Sequence, residues 1–316
     1  MTSRALVSET AACQFTSTTP KVTIVTPSYN QGAFIERTIL SVLKQDYPNM
    51  QYIVLDSLST DNTHEILERY RSKISIVVEA KDNGQADAIN KGFAAGDGEI
   101  LAYINSDDCY AAPNTVSNAV DFLVKNSDVD VVYGHRYYID VNGYFYLSYP
   151  QRPFNQAQLM QACYIPQECT FWTKSIYEKS GSKVNEDYQF AMDYELWLRF
   201  LRNGARFKSV ETVYGYFRWY TGQKSTEEWQ STGLPEIAKL QKEYFGTNTP
   251  AEMMSDIFME HYSTVNKSTD FERFTFYEKL WLEEVKLKQS LLRYAPLDHW
   301  VFQRPKETDK NERRVG

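Results

Sequence analysis

The sequence lacks the features that would make it a membrane span, a nucleic-acid binder, a disulfide scaffold or a zinc module. No run approaches the roughly eighteen apolar residues that cross a bilayer. There is no basic excess. Thirty-four Lys and Arg against 41 Asp and Glu give a formal net charge of −7 and a pI of about 5.3, which argues against nucleic acid as an electrostatic partner. The four cysteines, Cys13, Cys109, Cys163 and Cys169, show no C-x-x-C pairing and no metal-ligand spacing. Reduced thiols in a cytosolic protein are expected. Residues 1–20 are rich in Ser and Thr without a hydrophobic signal core and read as a flexible lead-in. Residues 305–316 are polar and read as a loose tail. No internal repeat or low-complexity tract is present.

What the chain has is length and aromatic rings. Its 316 residues suffice for a substantial core. The 23 Tyr, 17 Phe and 6 Trp suit a well-packed interior with Tyr hydroxyls at its edges, and also suit a surface for sugar or other rings.

Periodicity then gives an order of elements. Val22 to Thr26 is a β-branched run halted by Pro27-Ser-Tyr-Asn30 and Gly32, a buried strand and its exit loop. Phe34, Ile35, Ile39, Val42 and Leu43 recur at helical spacing. Tyr52 to Asp56 is a second strand ending on a carboxylate, and Ile66, Leu67 and Tyr70 mark a second helix. Ile74 to Val78 reads as a strand, Asp82-Asn-Gly84 as a turn, Gln85 to Phe93 as a helix, and Ile100 to Ile104 as a fourth strand. This alternation implies a parallel sheet covered on both faces. Its strand ends, Pro27 to Asn30, Asp56, and Asp107 with Asp108, should converge on one rim, where open α/β sheets bind ligands.

Further on, Val116 to Val124 reads as a helix, Asp130 to Gly134 as a strand, Asn142-Gly143 as a hairpin turn, and Ala191 to Leu201 as a strong helix. Beyond Ser225 the pattern turns helical. The expected division is a lead-in over 1–20, an α/β body over 21–225, a helical appendage over 226–304 and the tail.

The most informative stretch is Ile100-Leu-Ala-Tyr-Ile-Asn-Ser-Asp-Asp-Cys109. A short apolar run ends on two adjacent carboxylates, which repel each other and invite a hard cation such as Mg²⁺ or Mn²⁺. A plain turn cap would use the same residues.

Taken together, the first 225 residues resemble family 2 glycosyltransferases of the GT-A fold. The segments that carry the resemblance begin with Val25-Thr-Pro-Ser-Tyr-Asn30, Ser41-Val-Leu-Lys-Gln-Asp-Tyr-Pro-Asn49 and Val54-Leu-Asp-Ser-Leu-Ser-Thr-Asp61. They continue with Asp82-Asn-Gly-Gln-Ala-Asp-Ala-Ile-Asn-Lys-Gly92, Asn105-Ser-Asp-Asp108 and Met192-Asp-Tyr-Glu-Leu-Trp-Leu-Arg199. The resemblance implies a three-layer α/β/α, Rossmann-like fold with a mainly parallel mixed sheet. It also implies inverting transfer of a single sugar from a nucleotide diphosphate donor, a UDP-sugar first, to a hydroxyl acceptor.

By the same resemblance, Pro27, Tyr29 and Asn30 would line the nucleotide pocket, Asp56 would hold the base edge and Asp107 the ribose. Asp108 would bind Mn²⁺ or Mg²⁺, and Gly84, Gln85 and Asp87 would shape the wall near the phosphates and sugar. Asp193 would be the general base, with Glu186 and Asp187 as fallbacks and Glu195 on another helix face. A helix N-terminal acid stabilised by the helix dipole is the simpler account of Asp193.

Three departures stand out. Tyr220 occupies a place where relatives often carry His, which would shift charge work onto Arg218 or Lys224. Ser57 and Leu58 replace an Asp-Gly pair. Arg218-Trp219 is similar to part of the Gln-x-x-Arg-Trp signature of processive synthases, but Gly215 stands at the Gln position.

The expected partners are a nucleotide-sugar donor and a glycan, lipid-linked sugar or small-molecule acceptor, with no nucleic acid and no membrane span. The expected location is cytoplasmic, including the inner membrane surface. The aromatic C-terminal helix from Phe271 to Leu287 suits packing on the body first and a homodimer seam second. The rivals are a non-catalytic sugar-nucleotide or glycan-binding module and a sugar nucleotidyltransferase. The latter is disfavoured because Pro27 to Gly32 holds no Lys or Arg.

Overall fold

The structure, a computed structural model, describes residues 15, 17–149 and 153–246. The C-terminal helices expected beyond residue 250, the tail and most of the N-terminal lead-in lie outside the described residues.

The first half follows the alternation read from the sequence. Strands β1 (Val22–Ser28), β2 (Met50–Asp56), β3 (Ile76–Glu79) and β4 (Ile100–Tyr103) are joined by helices α1 (Ile35–Leu43), α2 (Thr63–Tyr70) and α3 (Gln85–Ala95). They pair in parallel in the order β3-β2-β1-β4, with Ser28 opposite Asp56 and Val25 opposite Tyr103. That register brings the polar ends of the strands to one rim.

Alternate residues of each strand pack on opposite faces. Val25, Ile53 and Leu55 join Ala88, Ile89 and Phe93 of α3 in one apolar cluster, whereas Ile24, Tyr52 and Val54 join Ile35, Ile39 and Ile66 in the other. The result is the expected three-layer arrangement. Contact with α3 is close. A Cβ on Gly92 would lie 2.5 Å from Val25 Cγ1 and 2.8 Å from Leu55 Cδ1.

The second half mixes strand directions. After β5 (Cys109–Tyr110) and α4 (Thr115–Lys125), the hairpin of β6 (Val131–Ile139) and β7 (Phe145–Tyr149) turns at Asn142-Gly143 as expected. Then come α5 (Gln156–Leu159), β8 (Thr170–Thr173), α6 (Lys174–Lys179), α7 (Met192–Arg202) and β9 (Phe207–Arg218). β8 runs antiparallel between β4 and β6, and β9 lies parallel to β6 and antiparallel to β5.

β9 is absent from the sequence reading because Lys208, Glu211 and Thr212 interrupt its apolar pattern. Its buried residues concentrate at the end, Tyr214 to Arg218. Their partners are the aromatic residues of β6, far away in sequence.

Packing does not break at residue 225. After α8 (Lys224–Glu227) and a π-helical turn, α9 (Leu234–Phe245) lies on α7, with Ile237 and Leu240 inside the first core cluster. The apolar spacing of α9 matches this contact face, so its residues belong to the α/β body rather than to a separate appendage. No described helix is long and apolar enough to cross a membrane.

Candidate active site

The strand ends open into one cavity of about 1370 Å³. On one side are Pro27 to Tyr29 from the end of β1, Ser57 and Leu58 after β2, and Lys81, Asp82, Gly84 and Gln85 before and within α3. Asn105 to Asp107 form the floor after β4. The far side is built by Arg136 and Tyr138 of β6, Gln167 and Glu168 before β8, Asp193 at the start of α7, and Phe217, Trp219, Tyr220 and Lys224 at and beyond the end of β9.

Of the residues singled out in the sequence, Pro27, Tyr29, Gly84, Gln85, Asp107, Asp193 and Lys224 line this cavity. Gly84 sits at φ 119° and starts α3, a backbone that favours glycine. Gln85 donates to Asn105 Oδ1 at 2.7 Å and accepts from Lys224 Nζ at 3.2 Å, joining α3 to the floor and to the far wall. Burial lowers the pKa of Lys224.

The others stand behind the lining. Both Asp56 oxygens accept from Ser59, its amide at 2.8 Å and its hydroxyl at 2.5 Å, and the carboxylate is 2% exposed. Asn30 ties the same loop through Ser59 and Thr60. Asp87 accepts from the Asn83 amide and from Lys91, both at 2.8 Å, bracing the turn before α3. Arg218 is fully buried. Its guanidinium donates to the carbonyls of Asp107 and Asp140 at 2.8 and 2.7 Å and lies 4.9 Å from the Phe34 ring. It therefore holds the floor loop and does not face the cavity.

The acidic pair splits between these two groups. Asp107 faces the cavity and accepts from the Tyr220 hydroxyl at 3.1 Å. Asp108 is 1% exposed and turns away, accepting from the Arg218 amide at 3.0 Å, with the Asn105 side-chain amide at 3.4 Å. Asp108, the cation ligand expected from the sequence, therefore does not line the cavity, whereas Asp107 does, because consecutive side chains leave the turn in opposite directions.

Burial raises the pKa of both carboxyls, and the charge of Asp107 adds to the rise at Asp108. Among the described residues no Lys or Arg side chain forms an ion pair with either. Asp107, a half-buried carboxylate at the cavity floor with no ion-paired Lys or Arg among the described residues, is the member of the pair that could hold a divalent cation. The one described cluster with metal-ligand spacing, His64, Glu68 and Glu79, lies outside this cavity, and Arg71 pairs with both of its glutamates.

Asp193 is the second residue of α7. Its Oδ1 accepts from the next amide, Tyr194 N, at 2.7 Å. Burial pushes its pKa up to about 6, opposed by that amide and by Arg136. Glu195 turns to the opposite side and pairs with Arg199 at 2.8 Å, as its spacing implied.

The sequence reading missed a part-buried ion pair on the far wall. Arg136 Nε and Nη2 donate to the two Glu168 oxygens at 2.5 and 2.6 Å, and the guanidinium lies 4.5 Å from the Phe217 ring. The available signal was a glutamate, Glu168, two residues before the fully buried strand β8.

The fold and site define a GT-A type α/β protein. The family model for glycosyl transferase family 2 matches residues 23–184, half of the chain, and the chain belongs to that family. Among curated relatives it is 29% identical over 215 residues to the Escherichia coli UDP-Glc:alpha-D-GlcNAc-diphosphoundecaprenol beta-1,3-glucosyltransferase WfaP, a match covering 66% of this chain and 81% of that one. It is 29% identical over 190 residues to an uncharacterized glycosyltransferase of Rickettsia typhi, covering 58% of this chain. The chain spans only 59% of the length of that relative and of its Rickettsia prowazekii counterpart.

Among solved structures, Staphylococcus aureus TarS 1-349 in complex with UDP-GlcNAc matches with a TM-score of 0.58 at 19% identity, covering 80% of this chain and 77% of that one. The Pyrobaculum calidifontis mannosyltransferase PcManGT, in complex with GDP-Man and Mn2+, matches with a TM-score of 0.55 at 18% identity, covering 89% and 83%. These similarities show the fold.

Proposed function

We propose that the protein transfers a single sugar from a nucleotide diphosphate sugar, a UDP-sugar first, to a hydroxyl acceptor with inversion, in the synthesis of a surface glycan. The observation that carries this reading is the placement of two carboxylates with different surroundings on one cavity. Asp107 lies on the floor beneath the rim formed by β1, β2 and α3, and Asp193 lies on the far wall with its pKa raised to about 6.

In this reading the nucleotide lies along Pro27, Tyr29, Ser57 and Leu58, and the diphosphate lies over Asp107, with Lys81 and Lys224 as the cavity's ammonium groups. Mn²⁺ or Mg²⁺ held by Asp107 would neutralise the departing diphosphate. Asp193 takes the proton of the acceptor hydroxyl as its oxygen attacks the anomeric carbon. The bond to the diphosphate oxygen breaks on the opposite face, and the bonding pair leaves with the nucleotide. A carboxylate with a pKa near 6 is a better base than an ordinary one and remains ionised at neutral pH. Tyr220 completes the floor by donating to Asp107, a contact a histidine in its place would make differently.

The reading is tested by Asp193→Asn. Sugar transfer should be lost while nucleotide binding persists, and unchanged transfer would refute the base assignment.

A further inference from the structure

Asp193 owes its position to the place where α7 begins, and the three residues just before that helix, Gln189, Phe190 and Ala191, are held by residues that follow β9. The amides of all three point at one carboxylate. Glu236, in the first turn of α9, accepts from Gln189 N at 2.7 Å through Oε1, and from Phe190 N and Ala191 N at 2.8 Å each through Oε2. The Gln189 carbonyl accepts from Lys224 Nζ at 2.8 Å. The Phe190 ring lies 5.7 Å from Trp229, and a Cβ on Gly233 would come within 3.0 Å of that ring. Amides, carbonyl and side chain of one short segment are thus fixed by residues 224–236.

We propose that Glu236 is a positioning residue for the carboxylate of Asp193. It acts as the anchor of a clamp, formed with Lys224, that sets where α7 starts. The proposal rests on the base role given to Asp193 above.

The physical argument is one of alternatives. Three consecutive amides at a helix entrance have no intrahelical partners and adopt whichever acceptor is available. A single ionised carboxylate that takes all three fixes both the direction and the register of the entrance. Without it, those amides turn to water, and the start of the helix is free to fray or shift by a residue. A shift of one residue rotates Asp193 out of the cavity, since neighbouring helical positions face different directions. Lys224 also reaches Gln85, which bonds Asn105 beside Asp107. The same clamp therefore ties the wall bearing Asp193 to the floor beneath the diphosphate.

A purely structural anchor and a positioning residue make different predictions for Glu236→Gln. This variant keeps one acceptor oxygen but turns a donor toward amides that can only donate. The assay is release of UDP from UDP-glucose or UDP-N-acetylglucosamine by the full chain, beside calorimetric titration with UDP. The expected result is a fall in kcat of about tenfold or more with donor KM and UDP affinity held within about twofold, because misplacing a reacting group costs rate and not binding. Leu240→Val, on the same helix but away from the cavity, supplies a control with a comparably lowered Tm and unchanged kcat.

A Glu236→Gln protein with wild-type kcat overturns the proposal. So does one whose kcat loss is matched by Leu240→Val at equal Tm, or whose UDP affinity falls in step with kcat. Retained turnover in Asp193→Asn is a separate failure, that of the base assignment itself, and is seen without any Glu236 variant.

Discussion

Replacing Asp193 by Asn separates what this carboxylate does for the fold from what it does for the reaction. Burial raises its pKa from the ordinary 3.8 to about 6, so ionisation is harder in the folded protein than in the unfolded chain. The sign follows directly. A raised carboxyl favours the folded state below pH 3.8, and that contribution is lost as pH rises through about 6. At neutral pH the ionised group is therefore a cost, with an upper limit of about 3 kcal/mol. Cavity water screens part of this, which leaves a cost of about 1–2 kcal/mol.

Asn keeps an oxygen for the Tyr194 amide and carries no charge. Thermal unfolding at pH 7.5 should show a Tm equal to or above that of the wild type, with the advantage shrinking as pH falls toward 4. Turnover should fall by about 10²–10⁴, the usual contribution of a positioned base. Wild-type kcat/KM should decline about tenfold per pH unit below about 6, where the carboxyl takes up its proton. A Tm lowered by several degrees would contradict a destabilising buried charge at Asp193, and turnover within a few fold of wild type would contradict its role as the base.

Two further substitutions probe the surroundings. Glu168→Gln leaves the Arg136 guanidinium, 17% exposed to the cavity, without its counter-ion, and chemical denaturation should report a loss of about 2–3 kcal/mol, partly recovered in the double variant Arg136→Gln/Glu168→Gln. Gly92→Ala would drive a methyl to 2.5 Å from Val25, so stability should fall by about 1–3 kcal/mol, measured by the same method, with no change in the pH profile of turnover.

Legibility in the sequence followed the range of the interactions involved. β1, β2 and β4 are runs of β-branched and aliphatic residues buried on both faces, and such runs announce themselves locally. Helices α1 and α3 show their apolar stripes in the same way. β9 does not, because its burial depends on aromatic neighbours on β6. The partnership of Arg136 with Glu168 joins residues 32 apart, and that of Glu236 with Gln189 joins residues 47 apart. No local pattern encodes either.

The acidic pair shows the finest limit. That Asp107 and Asp108 end a strand was plain from the apolar run before them. Which one faces the cavity depends on the turn, and on an amide from Arg218, 110 residues away, that claims Asp108. The boundary placed at residue 225 followed a change in helical texture, but Ile237 and Leu240 of α9 complete the core beneath α7.

The proposed transfer requires that this cavity hold a nucleoside diphosphate over a cation bound by Asp107. The most direct measurement is calorimetric titration of UDP, GDP, dTDP and CDP into the full chain, each with Mn²⁺ and again with EDTA. Saturable binding of UDP in Mn²⁺ is expected, strongly weakened by EDTA and by Asp107→Asn. Absence of binding by all four, or UDP binding indifferent to both EDTA and Asp107→Asn, would contradict it.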